Sequence, residues 1–258
     1  MSATPSPKPA APIAVRPMSS PPAFAGEMNN CQEIDGIREF LKKFREECIE
    51  LRITYQTFHI LFERDDGTVQ LLHEAAAQFF DFIGRALQEY YILQVCRLTD
   101  PARQGGFTNF THKRLNQLLC ENNLLTSEIK NFSKGLDRYR ELVLPARNKL
   151  IGHRDEKTVR NLISLGAHEQ KDIDELFKNL NKYCDSVAES LRISYKNRGV
   201  EDAKLQDLQP LDMSWIPGPG DEQDLIKKLE EHRGWTQQYN AGEIPSYTGR
   251  TQKKNTDE

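Results

Sequence analysis

Between Ala23 and Gln209 the chain contains only two prolines, Pro101 and Pro145. Proline removes a backbone donor and clashes with the preceding helical turn, so helix interiors exclude it. A stretch this long with two interruptions is therefore free to be helical almost throughout. Seven of the 13 prolines fall instead within the first 22 residues, "MSATPSPKPAAPIAVRPMSSPP". That composition cannot bury a core and predicts an extended, disordered tail over residues 1–30. Met28 stands near its end as an alternative start.

The apolar spacing agrees with helices. Ile34, Ile37, Phe40, Leu41, Phe44 and Cys48 recur at helical intervals in a segment predicted from 34 to 64. "DDG" at 65–67 predicts a turn. A second long helix is expected over 69–98, where Val69, Leu72, Ala76, Phe79, Phe80, Ile83, Leu87, Tyr90, Tyr91 and Leu98 form a stripe. "RLTDP" ends it, because Pro101 disfavours helix at Asp100. After the Gly-containing loop "RQGGFTN", a short helix is expected near 111–121 and another from Ser127, a candidate cap, to Val143. Pro145 fits best in the first turn of a new short helix ending near Gly152 or His153. A kinked continuation of the preceding helix is the competing layout. The last core helix is expected over 172–195, with Asp172 as N-cap and Glu175 completing a capping box.

No strand pattern of useful length and no repeat emerges. The expectation is an all-α, up-and-down helical bundle: two long antiparallel helices plus shorter ones over 31–200. Residues 201–258 read as a C-terminal extension, with a hinge at "WIPGPGDEQ", one short helix near 221–235, and Trp215 and Trp235 available to pin it back.

Charge and cysteine content narrow the function. A net charge of −3 argues against a protein that coats nucleic acid, so any such contact must be a local patch. Five cysteines, widely spaced and without a CxxC pair, read as reduced core thiols. With no apolar run of about 18 residues and no signal-type segment, the expectation is a cytoplasmic protein without a membrane partner. The six histidines show neither HxxxH nor HExxH spacing, and there is no P-loop, GxGxxG or GxSxG. Neither a metal site nor a cofactor is expected.

One stretch does carry chemistry: "RNKLIGHRD", residues 147–155. A histidine near its ordinary pKa of about 6.5 moves protons at neutral pH. Arginine offers a permanently charged planar fork for phosphate oxygens. Together they can cleave RNA without metal: the base takes the ribose 2′-OH proton, the 2′-oxygen attacks phosphorus, and arginine stabilises the growing charge. Between Lys130 and Arg160 stand nine basic and four acidic residues, a local excess of +5. Such a patch suits RNA phosphates; solvated or paired cations along helix faces are the competing reading. Six residues of ideal helix advance about 9 Å and about 600°, leaving the Arg147 and His153 side chains about 120° apart. They converge only if the helix breaks near Gly152, or if two copies pool their residues across a two-fold axis.

"RNKLIGH" resembles the R-polar-x(4)-H signature of the HEPN superfamily (higher eukaryotes and prokaryotes nucleotide-binding). With "QVCRLTDP" (94–101) and "LNQLL" (115–119) upstream, residues 31–196 look like its AbiU-like, abortive-infection branch. The resemblance implies a bundle that dimerises through its motif helices. It further implies a metal-independent endoribonuclease of phage defence or of a toxin–antitoxin system, with RNA and an antitoxin protein as partners. Arg147 and His153 match the catalytic pair and Asn148 the polar position. Lys149, Arg154 and Lys157 are candidate RNA contacts, and Arg97 and Asp100 candidate orienting residues. A non-catalytic HEPN module that binds RNA, a nucleotide or a protein is the alternative. Elsewhere, His112 beside Lys113 and Arg114 reads as part of a solvated helix face, and Tyr90 and Tyr91 as core or dimer interface.

Overall fold

The computed structural model describes residues 23–152, 155–160, 168–199, 206–210, 212 and 220–240; side chains are described from residue 32 to 233, Val159 excepted. The architecture is all-α. Helix α1 (Ala23–Phe58) runs into a wide π-helical turn, His59–Glu63. It begins ahead of the boundary expected at residue 31. Asp65 accepts hydrogen bonds from the Thr68 N–H at 2.7 Å and its hydroxyl at 2.9 Å, capping α2 (Asp66–Thr99). The expected turn at 65–67 is thus tighter, with Gly67 already helical. Ala76 adopts non-helical angles (φ −164°, ψ 72°) and bends α2.

Helix α3 (His112–Glu121) is capped by Thr111. Helix α4 (Ser127–Ala146) is capped by Thr126 rather than Ser127, and it contains Pro145. The chain does not restart at the proline. It continues as a second π-helical turn, Arg147–Ile151, so the kinked continuation replaces the separate short helix. Pro145 lacks an N–H and crowds the turn before it, yet α4 stays helical through it and the wide turn follows, closed from Gly152 to Arg147. The short α5 (Glu156–Arg160) follows. Helix α6 (Gln170–Asn197) opens three residues earlier than the expected capping box: Glu169 is the N-cap and Asp172 its reciprocal partner, with the Glu169 N–H donating to Asp172 at 2.8 Å.

One core unites these helices. Ile34, Ile37, Leu41, Phe44 and Leu51 of α1 meet Val95 and Leu98 of α2, Leu115 and Leu119 of α3, Leu136 and Val143 of α4, and Leu176, Leu180, Tyr183 and Leu191 of α6. Cys48, Cys96 and Cys184 are buried free thiols, while Cys120 is an exposed one. The core extends past residue 200. Leu208 is 1% exposed, and the buried Arg45 guanidinium donates to the carbonyls of Asp207 and Gln209, both at 3.0 Å.

Helix α7 (Asp221–Asn240) outruns its expected end. Leu225, Ile226 and Leu229 pack it onto Leu61, Phe62, Leu72 and Phe80, and Arg233 pairs with Glu74 at 2.9 Å. Trp215 and the Trp235 side chain lie outside the described residues. The loop after Pro101 is a small antiparallel hairpin, β1 (Arg103–Gln104) with β2 (Phe107–Thr108). Among the described residues no helix is long and apolar enough to cross a membrane.

Candidate functional site

The end of α2 meets the end of α4 around one carboxylate. Asp100, 15% exposed at its side chain, accepts from Arg140 at 3.0 Å on one oxygen and lies 4.0 Å from the Arg147 guanidinium on the other. Arg147 turns a second nitrogen to the Asn148 side-chain oxygen at 2.9 Å. The fork is thus braced on two sides, yet its side chain keeps 36% exposure, enough to meet a solute. Arg140 also reaches Glu141 at 3.2 Å and is itself only 13% exposed. Cys96 sits one turn before Asp100, and burial chiefly, then the Asp100 charge, pushes its thiol up to about 11. Two arginines thus face two carboxylates, the shielded Asp100 and the exposed Glu141, and the half-open Arg147 fork is what the corner presents to solvent.

The π-helical turn determines how Arg147 is presented. Its closing hydrogen bond runs from the Gly152 N–H to the Arg147 carbonyl at 2.7 Å. A Cβ on Gly152 would stand 3.0 Å from that same oxygen, so the glycine lets the chain pass close to the turn it seals. Beyond it the Asp155 N–H donates to the Lys149 carbonyl at 2.9 Å, and Asp155 caps α5 by accepting from the Thr158 N–H and hydroxyl. Those two bonds hold the Asp155 carboxyl below the usual carboxylate range.

Of the residues singled out in the sequence, Arg147, Asn148 and Asp100 come together. Lys149 and Lys157 are exposed nearby on the motif turn and α5. Arg97 is exposed on the last turn of α2, while Asp100 takes Arg140 and Arg147. His153 and Arg154 lie outside the described residues.

His112 corrects the reading of α3 as solvated at that point: it is completely buried. One ring nitrogen, Nδ1, donates to the Leu98 carbonyl at 3.1 Å, which leaves Nε2 facing Asp137 at 3.6 Å. Burial outweighs that carboxylate and drops the imidazole to about 4. Tyr183 donates to the His112 carbonyl at 3.0 Å, so this histidine ties α2, α3 and α6 together behind the site. Tyr91 is likewise core, bonded to Tyr139 at 2.8 Å, whereas Tyr90 is partly exposed and donates to Glu50.

Arg140 is the residue that sequence reasoning missed as a site member, counting it only as patch charge. A signal existed. Seven residues of helix turn about 700°, so Arg140 and Arg147 share a face. Among the described residues no group of three or more His, Cys, Asp or Glu side chains is placed to hold a metal.

The carboxylate-braced Arg147 opens an R-N-x(4)-H sequence within an all-α bundle. The family model HEPN_AbiU2, described as AbiU2, matches residues 34–202. The chain belongs to the HEPN AbiU2 family. The match spans α1 to just beyond α6, so this HEPN chain carries α7 outside it. No curated protein and no solved structure matches.

Proposed function

We propose that this HEPN AbiU2 chain is a metal-independent endoribonuclease, acting as a cytoplasmic homodimer in abortive infection or with an antitoxin partner. The observation that carries the reading is the braced Arg147 fork, held between Asp100 and Asn148 with a third of its side chain open to solvent. His153 takes the ribose 2′-OH proton, and the 2′-oxygen attacks the adjacent phosphorus. The P–O5′ bond breaks, and the departing oxygen receives a proton. Arg147 balances the charge that builds on the phosphoryl oxygens, and Arg140 holds the Asp100 carboxylate that braces it. Two copies supply two arginines and two histidines to one cleft. Lys149, Arg154 and Lys157 extend the contact along the phosphates.

The test is cleavage of a labelled RNA pool by the purified protein in EDTA, beside His153→Ala and Arg147→Ala. Cutting in EDTA that each substitution lowers at least about 100-fold, with DNA left intact, supports the reading. A folded protein that retains RNA without cutting it would make the corner a binding module, since the arginines serve phosphate contact whatever the histidine does. Variants that cut as well as the parent would remove both residues from the mechanism.

A further inference from the structure

We propose that the groove between α1 and α6 is a phosphomonoester site, in which Arg52, Lys178 and Lys182 grip the phosphate dianion. The site shares no residue with the Arg147 corner, and the proposal does not rest on the nuclease reading.

The spacing of α6 sets up the charge. Lys178 and Lys182 stand four residues apart, so their side chains leave one face a single turn from each other. Both are exposed, and neither has an ion-pair partner among the described residues. Like charges at this spacing repel. Neighbouring acids of the same helix are turned elsewhere: Glu175 meets Arg138 at 3.4 Å, and Asp185 lies 3.5 Å from Arg45.

Helix α1 supplies the third cation in an oriented form. The Arg52 guanidinium carbon stands 4.3 Å from the centre of the Phe177 ring, and its Nε donates to the Gln56 side chain at 3.1 Å. Phe177 and Gln56 are both buried. The stack and the hydrogen bond together fix the plane of the fork before a ligand arrives. Burial pulls the Arg52 pKa below its ordinary value, as expected of a cation short of solvation.

Arg52, Lys178 and Lys182 line one open cavity of about 250 Å³ with Phe177, Asn181 and Asp174. Asp174 accepts from the Gln170 amide at 2.9 Å. Three positive charges against its single negative one leave +2. A phosphate monoester carries nearly two negative charges at pH 7, its second pKa being about 6, whereas each diester of a nucleic-acid backbone carries one. The charge balance selects the monoester. Size agrees, because pockets that enclose a whole small molecule run from roughly 300 to 1,000 Å³, and this smaller cavity takes a phosphate with the group next to it. A 5′-phosphorylated RNA end and a free sugar phosphate both present that group.

The experiment is titration calorimetry of the full chain with ribose 5-phosphate and with a 2′-O-methyl oligoribonucleotide bearing either a 5′-phosphate or a 5′-hydroxyl. The variants are Lys178→Gln, Lys182→Gln and their double, at exposed positions that leave the core intact, with Arg52→Lys to test the fork and Arg147→Ala for comparison. We expect each lysine variant to weaken monoester binding about fivefold and the double about 20-fold. Arg52→Lys keeps the charge, loses the planar fork, and should cost a similar factor. Arg147→Ala should leave the affinity unchanged. Affinity in the parent should rise with pH through about 6, as the monoester gains its second charge. Ribose 5-phosphate that binds while the 5′-phosphate adds nothing to the strand supports the site and names a small phosphomonoester. A 5′-phosphate that tightens the strand about tenfold supports it and names an RNA end. If ribose 5-phosphate does not bind and the 5′-phosphate adds nothing, the site is refuted. Lysine variants that bind like the parent, or binding lost only in Arg147→Ala, refute it equally. A protein that takes the monoester here and never cuts RNA would lose the nuclease reading and keep this site.

Discussion

Asp100→Asn removes a charge and keeps a shape, which makes it the sharpest probe of the arginine corner. In the parent, the carboxylate stands 3.0 Å from Arg140 and 4.0 Å from Arg147. At an effective dielectric of about 20 those separations give gross attractions of roughly 5 and 4 kcal/mol. Most of that is offset by desolvating three charged groups. Asparagine still accepts from Arg140, so the loss there is the difference between a charge-assisted and a neutral hydrogen bond, about 1–1.5 kcal/mol. The looser, partly exposed Arg147 contact adds about 0.5 kcal/mol. The sum of about 1.5–2 kcal/mol corresponds to a Tm lower by roughly 3–8 °C for a chain of this size. Urea titration of the parent, Asp100→Asn, Arg140→Gln and the double variant closes a cycle. The expected coupling between 100 and 140 is about 1 kcal/mol. A coupling below about 0.3 kcal/mol, within the additivity of unrelated sites, would refute the bridge. On the proposed function, the same variant should also lower kcat/KM, because an unbraced Arg147 samples more rotamers before it meets phosphate.

Other outcomes follow from single contacts. Gly135→Ala places a Cβ 2.5 Å from the Asn179 amide and should cost about 1–3 kcal/mol by overpacking; adding Asn179→Ala should return most of it in thermal unfolding. His112 is fully buried and its folded pKa of about 4 lies below the ordinary 6.5, so the unfolded chain binds the extra proton. Stability therefore rises with pH through the window from about 4 to about 6.5, by on the order of 3 kcal/mol at 1.36 kcal/mol per unit. Urea unfolding of the parent should show that slope, and His112→Gln should flatten it. Leu229→Asp should detach α7 from Leu61, Leu72 and Phe80 and raise hydrogen exchange in 221–233, while amides of α6 keep their protection.

The helices were legible because their signals are local and redundant. The stripe from Ile34 to Cys48 and the long proline-free run each point to helix independently. Caps were less so. Thr126 and Ser127, or Glu169 and Asp172, offer the same chemistry one or three residues apart, and only the tertiary entry angle chooses between them. Pro145 was misread because propensity favours proline at a helix start, whereas α4 stays helical through it and a π turn follows that no single-residue preference encodes. Arg147, Asn148 and Asp100 were visible from motif and helix stop. Their mutual contact was not, since the 40 residues between Asp100 and Arg140 close a loop that sequence spacing cannot measure. His112 shows the same limit: flanking cations made it look solvated, but Tyr183, Leu98 and Asp137 close over it from three other elements.

The π turn at Arg147–Ile151 has a consequence for chain length. A π turn holds one residue more than the α turn it replaces, so it behaves as an insertion stored in the helix. Deleting a residue there, such as the exposed Lys149, lets the turn close back to α geometry while α4 and everything ahead of it keep their places. The register beyond Ile151 then carries no extra rotation, whereas a deletion within α4 would swing all later residues by about 100°. The motif is thus the one part of this helix where its length can change by a single residue without unseating the core.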